Sequence, residues 1–365
     1  MDSWHFARTG LAQKYLDVLQ LGISSSLAII APRRKGKTLF VLQDLAPLAQ
    51  EKGYLPVYAS LWQNLNAPHE GLISALENTL AHLQEKPVLT RLLQSKVRKA
   101  ALGNELLGKL EIEFADAPMA PTSGELAYLE QLLVDVEQLA GQKTVLLLID
   151  EVQHLATSTH FSPLAHNLRT LLDQRQGTIK SVFTGSSRHY LNLLLNEANS
   201  PFYHFVEQVD FPDLGLDFIH FLVNKLARDF HIKVELQELD LAFDALDKSP
   251  YWMMKLVARL ITSQENIKNS LSYTLGLIEA TEDFAGLAKT LKPIDKLLYL
   301  ALGTGKNPFG KEFLHEVEQK TEVKGVPGNV QRSLQRLLEA GLISQTYKQG
   351  YQIEKPGLTR FLNQP

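Results

Sequence analysis

The chain has 365 residues, a formal net charge of -3, 45% hydrophobic and 21% charged residues, and no cysteine. That balance can bury a core, and it excludes a disulfide-stapled scaffold and any Cys-ligated zinc or iron–sulfur site. At about 100–200 residues per domain the length accommodates two or three domains.

A reducing cytoplasm is the expected setting. The apolar runs at 26–32 and 145–149 fall far below the roughly 18 residues of a membrane span, and residues 1–15 carry scattered charge in place of an apolar leader, so no membrane association is expected. Charge is uneven along the chain. Residues 286–365 hold 12 Lys and Arg against 7 Asp and Glu, net +5, which leaves net -8 on the remainder. A basic C-terminal piece is appended to an acidic body.

In chain order, the β-branched and apolar run at 27–31 predicts a strand. It leads into the loop Pro32-Arg33-Arg34-Lys35-Gly36-Lys37-Thr38 and a helix over 39–50. A second strand is expected at 55–61, then a helix over 70–83 behind a cap at Asn66-Ala67-Pro68. The pattern loosens between 85 and 124 into a basic stretch with Lys96, Arg98 and Lys99, a short expected strand at 110–114 and a Pro/Ala/Ser segment. That region reads as an insertion.

A helix over 125–140 precedes a strand at 144–149 whose unbroken apolar run implies burial in a parallel sheet. A helix at 161–174, a strand at 179–184 and a short strand at 205–211 complete an α/β order. Beyond 215 strands vanish: 218–230, 236–247 and 250–261 carry apolar residues at three-and-four spacing, and a helical stretch at 272–291 follows.

Ala31-x-x-x-x-Gly36-Lys37-Thr38 fits the phosphate-loop pattern, with alanine in place of the first glycine. Gly36 lets backbone amides curl round phosphates, with Pro32, Arg33, Arg34, Lys35 and Leu39 completing the cradle. Lys37 supplies a point charge toward the β- and γ-phosphates, and the Thr38 hydroxyl can ligate Mg2+. Taken alone, Arg33 to Lys37 would also suit an exposed basic turn.

Leu146-Leu147-Leu148-Ile149-Asp150-Glu151 supplies the second motif. Asp150 ends the apolar strand to hold the metal through water, and Glu151 polarises the attacking water. Together the motifs predict a site for ATP with Mg2+. Thr184-Gly185-Ser186-Ser187-Arg188 ends the next strand, whose C-terminal edge faces the ligand crevice in a parallel sheet. Ser186 or Ser187 would orient water against Glu151, with Arg188 near the γ-phosphate; Ser187 equally suits the cap of the next helix.

At the basic end, 294–302, 310–319 and 329–340 read as helices, and 342–347 with 351–354 as a hairpin through Lys348-Gln349-Gly350. Three helices and a hairpin make a winged helix. Val330, Leu334, Leu337 and Leu338 form the buried stripe of the third helix, leaving Gln331, Arg332, Gln335 and Arg336 outward. Those side chains suit the base edges and phosphates of double-stranded DNA, with Lys348 as a further phosphate contact. The same face would also suit a protein partner; the net charge favours DNA. Gly303-Thr304-Gly305-Lys306 has no strand before it and is expected as a turn. His154 and His160 lack companion ligands for a metal and read as surface histidines.

On these residues the chain resembles the AAA+-related archaeal ATPases, close to the signal-transducing (STAND) NTPases and the cell-division-control type of origin initiators. The family usually has Gly-Pro-Arg-Arg-x-Gly-Lys-Thr where this chain has Ala31 to Thr38. The likeness continues in Leu148-Ile149-Asp150-Glu151-Val152-Gln153, in Gly185-Ser186-Ser187, in Ser200-Pro201-Phe202-Tyr203 and in the winged-helix pattern, and so covers most of the chain.

The resemblance implies a P-loop NTPase core over 1–214, a parallel sheet with helices on both faces. A small helical lid over 215–285 and a winged-helix domain over 286–365 follow. It implies Ser186 as the first sensor. Ser249-Pro250 stands where the lid usually has a Gly-x-Pro turn, with no arginine beside it and Lys255 as the nearest cation. Arg175 and Arg188 are the candidates for an arginine acting across a subunit boundary. The implied function is a homo-oligomeric ATPase that couples Mg-ATP turnover to DNA binding. The alternative is a slowly hydrolysing nucleotide switch whose winged helix recruits a protein.

Overall fold

The computed structural model describes residues 4–84, 117–345 and 350–363. The basic stretch at Lys96 to Lys99, the expected strand at 110–114 and Lys348 lie outside the described residues. The chain divides into two compact units, Met1–Pro212 and Asp213–Pro365.

The first unit is built on five strands: β1 (Ser26–Ile30), β2 (Tyr54–Ser60), β3 (Thr144–Asp150), β4 (Ile179–Gly185) and β5 (Glu207–Val209). Their order across the sheet is β2-β3-β4-β1-β5, and every pairing is parallel. β4 therefore lies between the strand that feeds the phosphate loop and the strand that ends in the acid pair.

Alternation along β3 divides its side chains between two cores. Val145, Leu147 and Ile149 pack with Leu72, Leu129, Leu133 and Leu168 on one face. Leu146 and Leu148 pack with Leu16, Leu19, Phe40 and Leu45 on the other. Helices therefore cover both faces, which is why the strand is apolar at every position from 145 to 149. The helix Thr9–Gln20, which buries Ala12, Tyr15, Leu16 and Leu19, adds to the elements expected from the sequence.

The helix after the phosphate loop is not continuous. It runs Lys37–Phe40, widens into a π turn at Val41–Leu45 and resumes at Ala46–Glu51. Pro47 gives the reason: it offers no N–H to the preceding turn and its ring crowds the carbonyl four residues back, so the helix opens there. The turn carries Asp44 into the interior, where His5 Nε2 meets Asp44 Oδ1 at 2.8 Å.

The second unit opens with helices Leu216–Phe230, Leu236–Ala245 and Pro250–Ser263. The single stretch expected at 272–291 is two helices, Ile267–Glu282 and Phe284–Thr290. Asp283 breaks it by taking a left-handed backbone (φ 45°) and caps the second helix, its Oδ1 accepting from Gly286 N at 3.0 Å.

Pro293–Gly303, Lys311–Lys320 and Pro327–Glu339 then combine with the antiparallel hairpin β6 (Ile343–Gln345) and β7 (Tyr351–Ile353) in a winged-helix arrangement. Gly305, at φ 72°, turns the chain between the first two of these helices. A last helix, Pro356–Leu362, has no counterpart in the sequence expectations. Its Arg360 meets Asp247 through two hydrogen bonds of 3.0 Å, tying it to the segment before Pro250–Ser263.

Candidate nucleotide site

The phosphate loop leaves β1 at Ala31, whose N–H still reaches the Gly185 carbonyl at 3.4 Å. The left-handed residues of the loop are Arg34 (φ 65°) and Gly36 (φ 90°). Neither is Ala31, so alanine there asks for no unusual backbone. Gly36 caps the following helix, which brings successive N–H groups to the mouth of the loop.

Lys37 is 5% exposed, and its Nζ donates to the carbonyls of Ala31 (2.6 Å) and Pro32 (2.9 Å). The ammonium thus lies across the hollow of its own loop. Arg33 places its guanidinium 4.6 Å from the Trp62 ring.

Thr38 and Asp150 meet directly, Thr38 Oγ1 donating to Asp150 Oδ2 at 2.7 Å. Tyr58 OH donates to the same oxygen at 3.0 Å. The other oxygen, Oδ1, accepts from Glu151 N at 3.0 Å and from the Thr184 hydroxyl. Strand parity explains the convergence: Leu148 and Val182 face the core beneath the phosphate-loop helix, and Asp150 and Thr184, two residues on, share that face.

Glu151 takes the opposite direction through a left-handed backbone (φ 57°). Its Oε2 accepts from Ser186 Oγ at 2.8 Å and from Gln153 Nε2. Burial, then the Asp150 charge beside it, pushes the Glu151 carboxyl above the usual carboxylate range, against the opposing pull of Gln153, Lys37 and Ser186. A carboxyl of raised basicity beside a phosphate loop suits a group that takes a proton from water.

Ser186 is 6% exposed, and its place follows from β4 lying between β1 and β3. Ser187 occupies the N-cap position of helix Arg188–Leu195 but makes no side-chain cap bond. Arg188 is the first residue of that helix, half-buried. Gly185 is required by space: a Cβ there would stand 2.6 Å from Gln153 Oε1 and 2.7 Å from Leu191 Cδ1.

The donor set fits magnesium. One carboxylate and one hydroxyl at a strand end suit a hard cation that keeps water and takes the rest of its oxygens from phosphates. Among the described residues no group of three or more His, Cys, Asp or Glu side chains could enclose a metal alone. Thr38 would hold the ion together with the triphosphate, and Asp150 would hold its water.

Arg175 lies before the first residue of β4, where it pairs with Glu130 (3.7 Å) and Glu137 (3.4 Å). Two expectations are corrected. His154 is not a surface residue: it is 7% exposed, Nε2 donates to the Leu65 carbonyl at 2.7 Å, and burial lowers its pKa. Arg336 does not point outward with Gln331, Arg332 and Gln335; it turns in to the buried Asp295, Nη2 to Oδ1 at 2.5 Å and Nε to Oδ2 at 3.1 Å. Lys255, the cation nearest Ser249-Pro250 in sequence, has Nζ 5.6 Å from the Tyr251 ring.

Tyr58, Thr184 and Gln153 are site residues that the motifs did not announce. Thr184 and Gln153 stood inside or beside quoted motif strings without a role, whereas Tyr58 has no motif and is found only through the pairing of β2 with β3.

Among the described residues no helix is long and apolar enough to cross a membrane. No protein-family model matches the chain, and no curated protein does. Solved structures share its fold. The Walker-type ATPase PABY2304 of Pyrococcus abyssi is 17% identical with a TM-score of 0.66, over 99% of this chain and 96% of that one. The ORC2 protein of Aeropyrum pernix in its ADP form is 16% identical with a TM-score of 0.52, over 97% of this chain and 90% of that one. The same protein in its ADPNP–ADP complexes is 15% identical with a TM-score of 0.54 over the same shares. The chain has the fold of the AAA+-related archaeal ATPases that its sequence resembles.

Proposed function

We propose that this chain binds ATP with Mg2+ and hydrolyses it, with Lys37 on the β- and γ-phosphates, Thr38 and Asp150 on the metal, and Glu151 on the attacking water. The observation that carries the reading is the Thr38–Asp150 hydrogen bond of 2.7 Å, with Glu151 and Ser186 paired immediately beside it at 2.8 Å. Bound magnesium would neutralise charge developing on the phosphate oxygens. Ser186 orients Glu151, and the raised basicity of Glu151 suits it to accept a proton from water.

The ammonium of Lys37 leaves its two carbonyl partners for phosphate, a stronger acceptor. Arg188, at the start of its helix beside Ser186 and Ser187, is assigned to the γ-phosphate. Phosphate release by the parent, Lys37→Ala and Glu151→Gln proteins tests this assignment. Parent-like rates in both variants would overturn it.

Turnover is further assigned to the control of self-assembly and of duplex DNA binding by the winged helix. Exposed Gln331, Arg332 and Gln335 and the net +5 of residues 286–365 support this. Binding to duplex DNA across a salt series is the test: a slope near zero would favour a protein partner for the same helix, and with it the slow nucleotide switch. Solution mass with and without ATP reports the assembly.

A further inference from the structure

Asp150 is 4% exposed, and its carboxylate accepts from four donors. Oδ2 accepts from Thr38 Oγ1 (2.7 Å) and Tyr58 OH (3.0 Å), and Oδ1 from Glu151 N (3.0 Å) and the Thr184 hydroxyl. Two of the donors, Tyr58 and Thr184, belong to neither nucleotide motif and come from the strands on either side of β3.

We propose that Tyr58 and Thr184 are positioning residues for the divalent cation, clamping the Asp150 carboxylate from β2 and β4 in the rotamer that faces Thr38. The proposal rests on the reading of the site as a magnesium-nucleotide site. A carboxylate at a strand end turns about two side-chain torsions, and only one orientation keeps an oxygen beside Thr38 Oγ1. Tyr58, paired in register with Leu148, reaches along β3 to Oδ2. Thr184 is 1% exposed and holds Oδ1 from the opposite side. With both hydroxyls in place the carboxylate is oriented before the metal arrives, and the cost of ordering it is not charged to metal binding.

The clamp acts on the metal and not on the nucleotide itself, since neither hydroxyl belongs to the phosphate loop. Affinity for a fluorescent ADP analogue, measured in EDTA and across a Mg2+ titration, separates the two. Tyr58→Phe and Thr184→Val each raise the Mg2+ concentration at half effect about 10-fold, the lower end of the range for residues that orient a metal ligand. Both leave the affinity in EDTA at the parent value, and Thr184→Ser restores the parent Mg2+ midpoint.

An unchanged or lowered midpoint in Tyr58→Phe would overturn the proposal, and so would an equal loss of affinity in EDTA, which marks general structural damage. Should Thr184→Val fail to fold, Tyr58→Phe and Thr184→Ser carry the test. A parent protein that binds no analogue under either condition is a different failure, that of the nucleotide reading.

Discussion

Thr38 and Asp150 are separated by 112 positions in the chain, yet their side chains meet at 2.7 Å across the C-terminal edge of the sheet. One comes from the helix that follows β1 and the other ends β3, with β4 between the two strands. The gap left by the interposed strand is filled by Thr184, Gly185 and Ser186, which bridge from the phosphate loop to the acid pair.

Glu151→Gln lowers the rate of phosphate release about 10²- to 10⁴-fold, the range for loss of a general base, and leaves nucleotide affinity near the parent value. The same variant is expected to be more stable than the parent at neutral pH. The folded pKa of Glu151 is raised above the unfolded value, so its stabilising contribution is complete below about pH 4 and is lost as pH rises through the folded pKa. Melting temperatures across pH check this: the gain is present at pH 7 and absent below about pH 4.

Ser186→Ala removes a donor that favours the charged form of Glu151. The acid limb of the hydrolysis profile therefore moves to higher pH, and Gln153→Leu moves it in the same direction. A profile that keeps its acid midpoint while the rate falls would show that these side chains do not tune Glu151.

His154 is neutral and buried, with its folded pKa depressed by burial. Its contribution to stability is complete above the unfolded value of about 6.5 and is lost as pH falls through the folded pKa. Acidification puts a charge on the buried ring while Nε2 keeps its hydrogen bond to the Leu65 carbonyl, so the cost comes from burial of the charge. Melting temperature between pH 7.5 and pH 5 drops less in His154→Gln, which cannot titrate, than in the parent.

Arg336→Ala leaves Asp295, 2% exposed, with Ser333 and Lys292 N as its remaining donors. The cost should be about 1–3 kcal/mol, below the roughly 3–5 kcal/mol of a fully buried pair because 35% of the Arg336 side chain stays in water. Arg332→Ala changes stability by no more than about 0.5 kcal/mol, yet weakens duplex binding and lowers its salt slope by about 1. Denaturant unfolding beside a salt series separates the two arginines.

Gly185→Ala forces its new Cβ against Gln153 and Leu191. A cost of about 1–3 kcal/mol is expected for crowding of this kind, together with slower phosphate release because Gln153 and Glu151 are displaced. Unaltered melting temperature and rate would mean that the neighbours yield freely.

Lys37, Thr38, Asp150 and Glu151 were legible as candidates because each stands in a string with a local pattern: a loop with the spacing of a phosphate cradle, an apolar strand that ends in acid. Strand and helix periods likewise announced most elements to within a few residues, since burial on one face or on both leaves a mark in the residue order. Helix interruptions were harder. The π turn at Val41–Leu45 and the break at Asp283 depend on one backbone junction each, and the apolar spacing runs on through both.

The sequence by itself determined the alternation of strands and helices, the phosphate loop, the acid pair and the basic character of the C-terminal end, because each is written in neighbouring residues. Only the tertiary structure decided that β4 lies between β1 and β3, that Tyr58 and Thr184 close on Asp150, and that Arg336 and Arg175 are spent on buried or partly buried acids. The reason is physical: strand order and ion pairing are set by packing between segments far apart in the chain, and local spacing carries no record of which distant side chain will fill a given space.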